Sequence, residues 1–163
     1  GLKFRAYNSA TIRIAELTGM TPTKIEAAEI SQAFSTGAVE SMITSPTTGK
    51  NSKIWENGVG YFYDIAAWFP KNMVIVNKDA WNKLDSATKK LVMSEAAVAE
   101  KKGWELSKKG NVADKKALSD AGMKVGKVNS ALEKHFQKVG ATMADEWKAK
   151  AGSRGASVLA AYK

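Results

Sequence analysis

Only three arginines, Arg5, Arg13 and Arg154, stand in a chain of 163 residues that otherwise takes its positive charge from lysine. Arg5 lies near the end of an alternating segment, with Leu2, Phe4 and Ala6 set against Lys3 and Arg5, which reads as a strand. A guanidinium in that place can hold a carboxylate through two parallel charge-assisted hydrogen bonds. Asn8, Thr44, Ser45, Thr47 and Thr48 offer neutral donors and acceptors, and Tyr63, Trp68 and Phe69 offer flat apolar walls. Such a set suits an anion that is held without being transformed. The competing structural reading has Arg5 at a surface, the Ser/Thr run as a turn around Pro46, and the aromatic residues in a core.

The groups that break and make bonds are scarce. Nucleophilic catalysis needs a base beside the nucleophile, and the one histidine, His135, lies in a lysine-rich helical segment. The absence of cysteine removes disulfides, thiol nucleophiles and thiolate metal sites. Gly49-Lys50-Asn51-Ser52 lacks the upstream glycine of a phosphate loop, so no nucleotide cofactor is expected, and no other cofactor is implied. Glu26 and Glu29 come nearest to a metal site, but their spacing equally suits the first turn of a helix. The net charge of +9 comes from lysines interleaved with acids, the pattern of a solvated helix face and not of a nucleic-acid reader rich in arginine forks.

These residues must be placed by the elements around them. The composition, 44% hydrophobic and 25% charged, is that of a folded domain, and the length favours one compact domain over two. The longest apolar runs, Val74-Ile75-Val76 and Ala96-Ala97-Val98-Ala99, are far short of the roughly 20 residues of a membrane span. After the strand at Leu2 to Tyr7, the pattern predicts a helix over Thr11 to Thr18, a strand over Thr23 to Glu26, a helix over Ala28 to Thr36 and a strand over Val39 to Thr44. Alternating strand and helix implies a mostly parallel sheet, whose ligands bind at the carboxyl ends of strands. That rule puts Arg5 to Asn8 and Thr44 to Thr48 at the edge of a site. Val74-Ile75-Val76 reads as a buried strand. From Asp85 or Ser86 a long helix runs to Ala121-Gly122, with Gly103 and Gly110 as places where it can bend. A short strand over Met123 to Val125, a helix over Ser130 to Lys150 and a last helix over Ser157 to Tyr162 complete the chain.

Gly1-Leu2-Lys3-Phe4-Arg5-Ala6-Tyr7-Asn8, followed by Gly19-Met20-Thr21-Pro22, resembles the central region of the solute-binding proteins of TRAP (tripartite ATP-independent periplasmic) transporters. The run from Glu29 to Ser41 is similar to the family's helix, glycine and acidic strand segment. The stretch from Phe62-Tyr63-Asp64 through Trp68-Phe69-Pro70-Lys71-Asn72 to Trp81-Asn82-Lys83-Leu84 is similar to its approach to a long helix. The resemblance implies a two-lobed α/β protein of the periplasm, DctP-like, that closes on a small organic carboxylate and delivers it to membrane subunits. Arg5 matches the arginine that grips the carboxylate, and Asn8 a ligand-facing asparagine. Thr44 falls where many members carry another asparagine after an acidic-glycine pair, which here reads Glu40-Ser41. Ser45 and Trp68 are candidates by position and chemistry. The comparison also implies that family members carry an N-terminal segment ahead of this point. Residues 1–84 are then expected to form one ligand-binding lobe, and residues 85–163 a long helix and helical region that packs on the absent part. An orphaned apolar face would favour self-association.

Two other functions compete. A basic helical module that binds anionic partners is motivated by the charge of +9 and the lysine-rich second half. A small α/β enzyme is the weakest reading, because a single histidine and no cysteine assemble no base and nucleophile pair.

Overall fold

The computed structural model describes residues 1–67 and 72–161. The first alternating segment forms β1 (Lys3–Ala6), which pairs in parallel with β2 (Thr21–Lys24) on one side and β3 (Ser41–Met42) on the other. The three strands make a sheet of order β2-β1-β3. Arg5 thus lies in the central strand, opposite Thr23 and Met42. Between β1 and β2 runs α1 (Ser9–Leu17), and between β2 and β3 a 3-10 turn (Ala27–Glu29) leads into α2 (Ile30–Ser35). Gly19 follows α1 at φ 73 and Gly37 follows α2 at φ 68, left-handed positions that glycine adopts at low cost.

A short helix α3 (Pro46–Asn51) and a 3-10 turn (Ile54–Asn57) then lead to β4 (Tyr61–Tyr63). After α4 (Lys78–Asn82) the chain enters α5 (Ser86–Asp120), a helix of 35 residues capped by the Asp85 carboxylate on Thr88 N–H at 2.8 Å. Gly103 and Gly110 lie within it without breaking it. It ends where Gly122 takes φ 92, and β5 (Lys124–Gly126) then pairs in parallel with β4 to make a second sheet. The last element, α6 (Ser130–Ala161), departs from helical geometry at Gly152.

The fold is α/β, with parallel strands throughout and long helices in its second half, as the alternating pattern implies. Its larger core joins Ile30, Ala33 and Phe34 of α2 to Val39, Ile54, Leu118 and Met123. A smaller one joins Phe4, Ala6 and Ala15 under α1. The carboxyl end of α5 and β5 are therefore part of the core laid down by the first half of the chain.

Several boundaries differ from those read in the sequence. β2 starts at Thr21, two residues earlier than expected, because Thr21 N–H bonds to Leu2 C=O at 2.9 Å and starts the ladder at the edge of β1. The run around Pro46 is a helix start, with proline in the first turn, where its missing N–H costs nothing. The end of the chain is a short last helix, as expected, but it begins just after the break at Gly152 and not at Ser157. Val74-Ile75-Val76 is not a buried strand: all three are exposed and belong to neither sheet. Apolar β-branched residues make a strand only where a ladder partner exists, and β4 takes β5 instead.

An ion pair with a buried carboxylate and a half-exposed lysine fastens α3 to α5. Asp114, 5% exposed, accepts from Thr47 Oγ1 at 2.6 Å and pairs with Lys50. Its hydrogen bonds from Lys50 and Thr47 hold its carboxyl below the ordinary carboxylate pKa, against the opposing pull of desolvation. A depressed pKa stabilises the fold above the unfolded value of about 4, and that contribution fades as pH drops through the folded value. Urea midpoints between pH 7 and pH 2 should fall on the acid side for the wild type. Asp114→Asn should be less stable at neutral pH and show a shallower acid slope; an unchanged slope would place the acid dependence elsewhere.

Candidate functional site

The chain turns sharply after β1, and one buried hydroxyl fixes that turn. Thr11, fully buried, accepts from Tyr7 N–H at 3.0 Å and Asn8 N–H at 3.1 Å, and donates to Asn8 C=O at 3.0 Å. In return Asn8 Oδ1 accepts from Thr11 N–H at 2.9 Å, closing a reciprocal cap at the start of α1. Tyr7 is thereby held directly beyond the end of β1.

Arg5 is only 4% exposed. Its Nε donates to Ile25 C=O at 2.9 Å, and its Cζ lies 4.7 Å from the centre of the Tyr7 ring. Burial lowers the guanidinium pKa from its ordinary value, while the fields of Tyr7 and Glu26 partly offset that effect. Among the described residues no acceptor meets either Nη. A guanidinium whose Nε is engaged and whose face is stacked keeps one fork of donors for an incoming group.

Arg5 lines a cleft of about 650 Å³. Arg5 and Tyr7 come from the end of β1, Ala27 from the turn after β2, Thr44 and Ser45 from the end of β3, and Tyr63 to Ile65 from the end of β4. Four strands thus bring their carboxyl ends to one cavity, the placement expected of a ligand site in a parallel sheet. Trp104, Ser107, Lys108 and Asn111 of α5 form a further wall. Asp64 is held at the rim by Lys115 Nζ at 2.6 Å, which neutralises the one acid in this lining. A larger groove of about 910 Å³ has mainly apolar walls, among them Phe4, Ile14, Phe34 and Leu118, and includes His135. It presents no buried cation, so the Arg5 cleft is the better place for an anion.

The family of bacterial extracellular solute-binding proteins, family 7, matches residues 1–150. The chain belongs to this family. Among solved structures, the chain is similar to DctP6 of Bordetella pertussis, an extracytoplasmic solute receptor binding pyroglutamic acid. It is 41% identical with a TM-score of 0.96, over 99% of this chain and 54% of its own. DctP7 of the same organism, also a receptor binding pyroglutamic acid, is 39% identical with a TM-score of 0.95, over 99% and 54%. A TRAP solute-binding protein from a marine metagenome, specific for pyroglutamate and crystallised with co-purified pyroglutamate, is 36% identical with a TM-score of 0.94, over 99% and 53%. The chain spans about half the length of these structures. No curated protein matches it.

Of the residues singled out in this family 7 chain, Arg5, Thr44 and Ser45 line the same cleft. Ser45 also caps α3, accepting from Thr48 N–H at 3.1 Å. Asn8 spends its side-chain oxygen on the α1 cap and is not among the cleft-lining residues. Trp68 lies outside the described residues. Glu26 and Glu29 form a helix-start pair, Glu29 accepting from Glu26 N–H at 3.2 Å. Among the described residues no group of three or more His, Cys, Asp or Glu side chains could hold a metal ion. The α5 wall was missed, although its spacing announces it: residues 104, 107, 108 and 111 recur at i, i+3, i+4 and i+7, one face of a helix. Only Trp104 is apolar, so an apolar pattern search passes over the rest.

The Thr11 hydroxyl holds the turn that presents Arg5 and Tyr7, and it is buried away from water. Thr11→Val keeps the shape and removes those bonds, so it should cost about 1–2 kcal/mol. Urea unfolding of the two proteins measures this, and equal midpoints would show that the turn stands without it.

Proposed function

We propose that this chain is the carboxylate-gripping part of an extracytoplasmic solute receptor that works in the periplasm and delivers a small organic acid to the membrane subunits of a TRAP transporter. The observation that carries the reading is the buried Arg5 guanidinium, anchored by Ile25 and Tyr7, in the lining of a cleft at four strand ends. Family membership and the pyroglutamate-binding relatives support it. Pyroglutamate, a flat lactam ring bearing one carboxylate, is the first ligand to test. The carboxylate would take Arg5, the ring would lie against Phe62 and Tyr63, and Thr44, Ser45 and Thr48 would serve the lactam group. The reading makes the protein a binder and not an enzyme: its one buried cleft charge is an arginine, which can orient and neutralise an anion but does not exchange protons near neutral pH. Among the described helices none is long and apolar enough to cross a membrane.

In this reading residues 1–84 supply the ligand lobe together with β5 and the carboxyl-terminal part of α5, which share its core and wall its cleft. Residues 85–163 supply the helical region that meets the other half of a receptor of the relatives' length. Leu91, Val92, Met93, Val98, Leu106 and Val112 of α5 stand exposed, which suits a helix that expects a partner. Water contact with these side chains is unfavourable by about 25 cal/mol per Å² of apolar area, so the 163-residue chain on its own should self-associate. Sedimentation at rising concentration should show dimers or larger species; a clean monomer throughout would contradict this.

The grip itself is tested by geometry at constant charge. A lysine keeps the charge of Arg5 but loses the fork and the Nε contact with Ile25. In the full-length receptor, Arg5→Lys should weaken pyroglutamate binding by roughly tens- to hundreds-fold. Arg13 is engaged elsewhere, with Glu146 at 2.6 Å and Glu16 at 2.9 Å, so Arg13→Lys should leave affinity nearly unchanged. Calorimetry on the three proteins decides the point, and equal affinity in all of them would make Arg5 a structural charge only.

A further inference from the structure

Resting on the reading of the cleft as a carboxylate site, we propose that Tyr7 is a positioning residue for Arg5. Its ring face sets the plane of the guanidinium, so that the two Nη donors meet the acid already aligned. Three observations lead there. First, Nε is held by Ile25 C=O, while neither Nη meets an acceptor among the described residues, so no polar contact holds the pair of donors that would meet an acid. Second, the ring of Tyr7 lies under Cζ at 4.7 Å, close enough to support the guanidinium face by stacking and cation–π attraction. Third, the backbone that carries the ring is fixed: Tyr7 N–H bonds to the buried Thr11 hydroxyl, and residues two apart on extended chain face the same way. Tyr7 also lines the cleft, so the stack stands where the acid arrives.

The consequence for binding is specific. A guanidinium held in plane loses little freedom when it closes on a carboxylate, so removing the ring lowers affinity without removing any contact to the ligand. The ring face acts and the hydroxyl does not, so phenylalanine should replace tyrosine and an aliphatic side chain should not. The effect also requires a fork to orient, and it vanishes when Arg5 is lysine.

The test uses the full-length receptor, L-pyroglutamate and its uncharged amide. Tyr7→Phe should bind pyroglutamate within about threefold of wild type, and Tyr7→Leu about 3- to 30-fold more weakly, the span of a cation–π contact. In the Arg5→Lys background Tyr7→Leu should add less than about twofold, and weak binding of the amide should be indifferent to position 7, results that general loosening of the cleft would not give. The Nε–Hε resonance of Arg5 in the ligand-free protein should be ring-shifted in wild type and Tyr7→Phe and lose that shift in Tyr7→Leu. Tyr7→Met serves if the leucine variant does not fold. Wild-type affinity in Tyr7→Leu or Tyr7→Met, or an equal loss in Tyr7→Phe, overturns the proposal and leaves the receptor reading intact. A wild type that binds no carboxylate overturns the receptor reading, and the resonance still decides whether Tyr7 holds Arg5.

Discussion

A guanidinium buried in the central strand of a three-stranded sheet constrains everything near it. Its charge is costly away from water, so its donors need partners and its plane needs support. The parallel pairing of β1 with β2 brings the Ile25 carbonyl beside Nε, and the turn after β1 brings the Tyr7 ring beneath Cζ. These contacts leave both Nη groups without an acceptor among the described residues, in a side chain that lines the cleft. An anion placed there completes the shell that the protein only partly supplies, so the geometry favours a carboxylate over a neutral ligand of the same shape.

The surrounding frame is held by charged clamps as much as by apolar packing. Asp114 ties α5 to α3, Lys115 ties α5 to the segment after β4, and the Arg13–Glu146 pair ties α6 to α1. The exposure of the partners differs, and so does their worth. Asp114 is buried and would be left uncompensated by loss of Lys50, whereas Arg13 and Glu146 stay in reach of water, which screens them. The two clamps on α5 both lie close to the cleft, one beneath α3 and one at the rim.

Much of this was legible in the residues, for reasons that differ from place to place. The strand at Lys3–Ala6 and the long helix from Ser86 were readable because alternation and helical spacing are long-lived signals, and Asp85 and Gly122 mark the ends of α5 by known capping chemistry. Arg5 was readable because arginine is rare here and sits at a strand end. The short pieces were readable in part. Ser41–Met42 and Lys124–Gly126 fall on expected strands, with bounds set by their partners β1 and β4, whereas Val74-Ile75-Val76 has the composition of a strand without a neighbour to pair with. Asn8 shows a different limit: an amide before a helix can cap it or face a ligand, and only the bond to Thr11 shows that its oxygen caps. The α5 wall escaped because Trp104, Ser107, Lys108 and Asn111 share a face by spacing but not by chemistry.

That helix has a mechanical meaning. Its 35 residues span roughly 50 Å, and its buried positions, Asp114 and Leu118, lie near one end. It is a beam clamped at its carboxyl end and free along most of its length, with the cleft-facing residues just outboard of the clamp. On a rigid helix each degree of rotation at Asp114 carries Leu91 through about 0.6 Å and Trp104 through less than half as much. The free end is therefore a long lever acting on a short one, and a load on the distant apolar side chains and a ligand beside Trp104 bear on the same few turns.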